Sequence, residues 1–193
     1  MPVRYTVSEA STVTGLPVKA INKAIEKRTV SAEITKSQRV LSRVSLLCLS
    51  LESKGLKQFP PKFRREIYRS IAANPRVAQL RHSEAVIIDI GAARREIAAR
   101  LRELRKAKRM VVEDSEIMGG TPVLRGTRVP VHFVAIMVNS GMSVSEILEG
   151  YPSLDEEMIR ISPIYAAAVP QRGRRPSLRM KPFKVITKLR KAS

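Results

Sequence analysis

Hydrophobic positions along this chain fall into short helical and extended runs with no long stretch of either kind. Between Tyr5 and Leu51 the order is helix, turn, helix, hairpin, helix. Thr6 or Ser8 can cap a first helix through Val13, Thr14-Gly15-Leu16 makes a turn, and Pro17 favours the first turn of the next helix. In that second helix Val18, Ile21, Ala24 and Ile25 recur at helical spacing, leaving Lys19, Asn22, Lys23, Glu26 and Lys27 opposite. Thr29 to Ile34 and Arg39 to Leu41 read as a hairpin around Thr35-Lys36-Ser37-Gln38, and Ser42 starts a helix to Glu52 that packs through Val44, Leu47, Cys48 and Leu51.

Pro60-Pro61 opens a helix to about Ala73, with Phe63, Ile67 and Ile71 on one face and Arg64, Arg65 and Arg69 off it, until Asn74-Pro75 stops it. Ala85 to Ile90 is β-branched and apolar, so a strand is expected, followed after Gly91 by an arginine-rich helix to about Lys108. That strand has two candidate partners, the same strand of a second copy or Met110 to Val112. The first would build a homodimer and present two heads to a pseudo-palindromic DNA site.

The pattern then changes character. Gly120 to Val131, GTPVLRGTRVPV, concentrates residues with special backbone preferences: Gly120 and Gly126 open conformations other residues avoid, while Pro122 and Pro130 fix φ. Thr127 and Arg128 add a hydroxyl and a guanidinium, and the expected role of Arg128 is to tie the loop to local carbonyls or carboxylates rather than to touch a partner. Helices follow over Val131 to Ser140, from a Ser143/Glu146 capping box, and over Leu154 to about Ala168, with Pro163 expected at a kink or boundary.

Charge divides the chain along the same lines. The net charge of +19 is +15 over residues 1–110, −5 over 111–169 and +9 over 170–193. A field this positive attracts polyanions, and an acidic block inside it argues for a separate task, protein contact or dimerisation. The expected architecture is mainly α with small β elements: a winged helix-turn-helix (1–53), a basic helical connector (54–110), an acidic helix-turn-helix-like three-helix domain (111–169) and a basic tail (170–193).

Enzyme chemistry finds little to work with. Cys48 lies in an apolar run and reads as a small hydrophobe, and His82 and His132 stand outside any metal-ligand spacing. There is no phosphate loop, nucleophile elbow or paired-histidine helix, so neither enzyme activity nor a cofactor is expected. The start lacks the apolar core of a signal peptide and no run of about eighteen apolar residues could span a bilayer, so a cytoplasmic protein without a membrane partner is expected.

On the second helix Asn22 can pair bidentately with adenine, and Lys19, Lys23, Lys27, Lys36 and Arg39 suit backbone phosphates. The order of elements resembles the DNA-binding head of the MerR and excisionase-like families over about fifty residues. The run Gly120 to Val131, with Gly141-Met142-Ser143, Glu146-Ile147-Leu148, Tyr151-Pro152 and Leu154, resembles the domain-of-unknown-function four-three-three family. With the head and tail, the chain resembles VapB-type antitoxins of that family.

The resemblance implies a partner, a PIN-like ribonuclease toxin, together with autorepression by binding double-stranded operator DNA. It also implies work for the tail: Arg172, Arg174, Arg175 and Arg179 could engage the carboxylates of a metal-dependent nuclease. Phe183, Ile186 and Leu189, three apart, would dock one side of a helix in a groove. A stand-alone MerR- or excisionase-like regulator is the alternative reading.

Overall fold

The computed structural model describes residues 3–35, 38–81, 83 and 86–171. Lys36, His82 and the tail residues Arg172, Arg174, Arg175, Arg179, Phe183, Ile186 and Leu189 lie outside the described residues. The fold is mainly helical, with small antiparallel sheets.

The first helix, α1 (Val7–Thr14), follows a two-residue strand, β1 (Tyr5–Thr6), and is set by a complete capping box. Thr6 Oγ1 accepts from the Glu9 N–H at 3.2 Å and Glu9 Oε2 accepts from the Thr6 N–H at 2.8 Å, so Thr6, not Ser8, is the cap. Gly15 at φ +74° ends the helix in the left-handed conformation that favours glycine. Pro17 then leads into α2 (Val18–Glu26).

The hairpin is shorter than the sequence suggests: β2 (Ala32–Thr35) and β3 (Gln38–Leu41) pair antiparallel, with β1 on the other side of β3. Thr29 and Val30 belong to the turn instead, their N–H groups donating to Ala24 O, while Arg28 takes φ +53°. Ser42 caps α3 (Arg43–Ser53), which is buried almost all round, with Leu46 and Leu49 at 0% exposure.

Next, α4 (Pro61–Ala73) starts at its proline, and Phe63, Ile67 and Ile71 are buried. Arg64 departs from expectation. It turns inward, where Nη1 donates to both Glu52 carboxylate oxygens at 2.8 and 2.9 Å, and the Tyr68 hydroxyl donates to Glu52 as well. Burial first, and the Glu52 contact second, push the Tyr68 hydroxyl well above its ordinary range.

A three-residue strand, β4 (Gln79–Arg81), pairs with β5 (Ile87–Asp89). This corrects the internal pairing expected for the 85–90 segment, since β5 pairs with β4 and Val111–Val112 pairs with Val123–Leu124 instead. Asp89 caps α5 (Ile90–Arg109), whose buried stripe Ile90, Ala93, Ile97, Leu101 and Leu104 completes a first core with α1 to α4.

The second core gathers around α6 (Val131–Asn139), α7 (Val144–Gly150) and α8 (Glu156–Ala168), behind β6 (Val111–Val112) paired with β7 (Val123–Leu124). Ser143 and Glu146 form the expected capping box of α7. Pro163 lies inside α8, with helix on both sides, and not at its boundary.

The two cores meet along α5 and α8. Lys106 reaches Glu157 at 2.7 Å, and Arg160 reaches Glu103 at 2.6 Å and Glu157 at 2.6 Å. Hydrogen bonds from Arg160 first and Lys106 second hold the Glu157 carboxyl down at about 2. A depressed carboxylate contributes stability that is present above its ordinary value and lost as pH falls through the folded one. We predict that the melting temperature of wild type exceeds that of Glu157→Gln near neutrality and that the difference closes between about pH 4.5 and about 2. A difference that persists unchanged to the lower limit contradicts the pairing.

Candidate nucleic-acid interface

The exposed face of α2 follows from the burial of the other. Ile21 is fully buried, Ala24 and Ile25 pack partly against the core, and one turn's rotation leaves Lys19, Lys23 and Lys27 in solvent. None of these three lysines has a side-chain partner among the described residues. Val18, expected on the buried face, is instead 41% exposed.

The structure brings Asn22 and Arg39 together. Arg39 Nη1 on β3 donates to Asn22 Oδ1 at 3.3 Å and lies 3.7 Å from Glu26 Oε1. The hairpin is thus clamped against α2, and the Asn22 side chain is oriented before any ligand arrives. Its amide nitrogen makes no hydrogen bond to a described residue, and the carbonyl oxygen keeps a second lone pair. Both edges needed for a bidentate contact to adenine are therefore present, provided the ligand shares Oδ1 with Arg39.

A groove of about 520 Å³ runs beside this face, between the start of α1, α2, β3 and the end of α8. Val18 and Asn22 line it from α2, Arg39 from β3, and Val169 and Pro170 from just past the end of α8. Glu9 is the only acidic residue among those lining it, 6% exposed and paired with Lys108 at the end of α5. No local signal in the sequence announces this groove, because it needs residues 160 positions apart.

The 120–131 loop is a backbone construction. The Thr127 hydroxyl donates to Leu124 O at 2.9 Å, the Val129 N–H donates to Thr127 Oγ1 at 3.0 Å, and the Leu124 N–H donates to Val129 O at 3.0 Å. Gly126 at φ +78° makes the reversal, with empty space where a side chain would start. Gly120 takes φ +82°, and Val123 bridges Pro130.

Arg128 does not tie this loop. It is exposed and without a side-chain partner among the described residues, whereas Arg125 makes the tie by donating from Nε to Arg109 O at 2.9 Å. The tight turn points the two guanidiniums differently, Arg125 toward the end of α5 and Arg128 into solvent.

The remaining chemistry-bearing side chains are in structural roles. Cys48 is 3% exposed, and burial pushes its thiol up to about 12, so little thiolate exists at neutral pH. His132 lies with Nε2 at 2.7 Å from Val169 O and its ring edge-on to Tyr165, and its Nδ1 is buried without a partner. Among the described residues, no three His, Cys, Asp or Glu cluster in a way that could hold a metal ion. Also among them, no helix is long and apolar enough to cross a membrane.

Comparison with known proteins gives two likenesses. An uncharacterized protein of Sinorhizobium fredii, y4eO, is 50% identical over 94 residues, which is 49% of this chain and 42% of that protein. The chain therefore aligns with less than half the length of this relative. No solved structure matches. The segment built on α6 to α8 and its glycine loop, residues 111–166, matches the family described as "Protein of unknown function (DUF433)".

Proposed function

We propose that the chain is a DNA-binding autorepressor and the antitoxin of a PIN-like ribonuclease. The observation that carries the DNA half is the α2 face: three lysines without partners and one pre-oriented amide on a helix backed by a hairpin. A helix with this arrangement can insert in a major groove, whose base edges distinguish all four pairs. The antitoxin half rests on the resemblance to VapB-type antitoxins carried by the Gly120 to Leu154 motifs and on the chemistry of a tail with nine cations and no acid. Guanidinium groups are suited to the clustered carboxylates of a metal-dependent nuclease.

The nuclease half is tested by purifying the tagged chain at high salt after nucleic-acid digestion, then assaying the co-purified protein for ribonuclease activity. The expected result is a stoichiometric PIN-like protein, inactive with the full chain. It should be active with the variant carrying Arg172→Gln, Arg174→Gln, Arg175→Gln and Arg179→Gln. Equal inhibition by both proteins removes the tail from this role.

One observation favours the stand-alone regulator as a second reading. Val44, Leu47, Ile71 and Ile97 line a second groove of about 370 Å³ together with Arg43 and Arg94, a composition that fits a small apolar carboxylate effector. Saturable melting-temperature shifts with such acids, and no nuclease in the purification, would favour that reading.

A further inference from the structure

Val18 stands apart from the other apolar residues of α2. Ile21 is fully buried, and Ala24 and Ile25 pack against the first core, whereas Val18 is 41% exposed. At about 100° per residue, Val18, Asn22, Lys19 and Lys23 follow one another within roughly 140° of the helix circumference, with Ile21 outside that arc. Much of the Val18 side chain therefore stays in water in the free chain, on the same side as the polar residues of the candidate interface.

Val18 and Asn22 lie one helical turn apart and line the same 520 Å³ groove. Their Cα atoms are about 6 Å apart along the axis, close to two steps of a duplex at about 3.4 Å each. Arg39 orients the Asn22 amide by its 3.3 Å hydrogen bond, so a set polar group stands beside an apolar one. The surroundings select a polyanion as the occupant. Lys19 and Lys23 are exposed and without side-chain partners among the described residues, and Glu26 is offset by Arg39 at 3.7 Å. In a major groove, guanine presents two acceptors, cytosine a donor and adenine one of each, all of which lose water against an isopropyl group that returns no hydrogen bond. Thymine adds an apolar C5-methyl group, which an apolar side chain suits.

We infer that Val18 is a specificity-determining residue that packs on the methyl group of a thymine within about two base steps of the adenine met by Asn22. This rests on the DNA-binding reading above and adds a second base to it. Asn22 reads by hydrogen bonds, and Val18 reads by apolar contact one helical turn earlier.

The test uses the full chain and a duplex that wild type has selected from a randomised pool. Each thymine near the preferred adenine, on either strand, is replaced singly by deoxyuridine, which lacks only the methyl group. Fluorescence anisotropy is expected to show about fourfold weaker binding by wild type at one such position, the effect of one methyl group left in water. Val18→Ala should narrow that difference to less than about twofold while keeping the preference for the adenine and the wild-type melting curve. Wild-type affinity indifferent to every thymine methyl, with preference over a scrambled duplex intact, overturns the Val18 contact and leaves the α2 reading standing. A Val18→Ala chain that distinguishes thymine from uracil as wild type does has the same consequence. A wild-type chain with no preference between the selected and scrambled duplexes overturns the α2 reading and the Val18 contact with it.

Discussion

Replacing Glu52 with alanine is expected to destabilise the fold by roughly 3–5 kcal/mol, because it leaves a buried guanidinium without its counter-charge. Glu52 and Arg64 have side chains only 11% and 18% exposed, and Arg64 Nη1 spans both carboxylate oxygens. The Arg64 Nε has no hydrogen-bond partner, so the guanidinium has no second anchor to fall back on. Tyr68 donates to the same carboxylate and loses it too. The three side chains join α3 to α4, where the first core closes. Urea unfolding measures the loss as a lower midpoint at constant slope. Replacing all three by apolar residues, Glu52→Leu, Arg64→Met and Tyr68→Phe, is expected to recover most of it, since no charge is then left buried. A loss below about 1 kcal/mol for Glu52→Ala would mean that the pair is solvated.

The second large effect is on binding. Lys19→Glu, Lys23→Glu and Lys27→Glu together are expected to reduce affinity for a preferred duplex by roughly a hundredfold or more at 0.15 M salt. That follows from about 0.9 of log–log slope per lost phosphate contact. The folded state should be nearly indifferent, because the three side chains are exposed and make no hydrogen bond or ion pair with a described residue. Surface changes of this kind stay within about 0.5 kcal/mol each. Retained affinity with an unchanged melting curve would remove α2 as the reading element. Lost affinity with a collapsed melting curve would say nothing of DNA, so the two are measured on the same preparation.

What the sequence makes legible here is local. Thr6 with Glu9 and Ser143 with Glu146 mark helix starts through contacts three residues apart, and Pro61 marks another by its fixed φ. The inward face of α4 can be read from spacing alone. β4 escapes such reading because Gln79-Leu80-Arg81 is too short, with one apolar residue, to establish a period, and its pairing is carried by backbone groups against β5. The inward turn of Arg64 is equally hidden, since its cause is a carboxylate on another helix.

The candidate site divides in the same way. The lysines of α2 are visible as the polar face of an amphipathic helix, and Asn22 with them. That Arg39 pre-orients Asn22 depends on a hairpin folding back over α2, and that Pro170 stands at the same groove depends on α8 ending there. In the glycine loop the sequence offers two arginines flanking Gly126, and only the path of the turn decides that Arg125 ties the loop and Arg128 does not.

The most direct test of the central claim is selection of a randomised duplex pool by the full chain, repeated with Asn22→Ala. Wild type is predicted to enrich one sequence containing an adenine on which preference depends. Asn22→Ala should keep its salt slope while losing that discrimination, about tenfold for one bidentate contact. A pool that shows no enrichment, or a motif that Asn22→Ala enriches unchanged, would contradict the account.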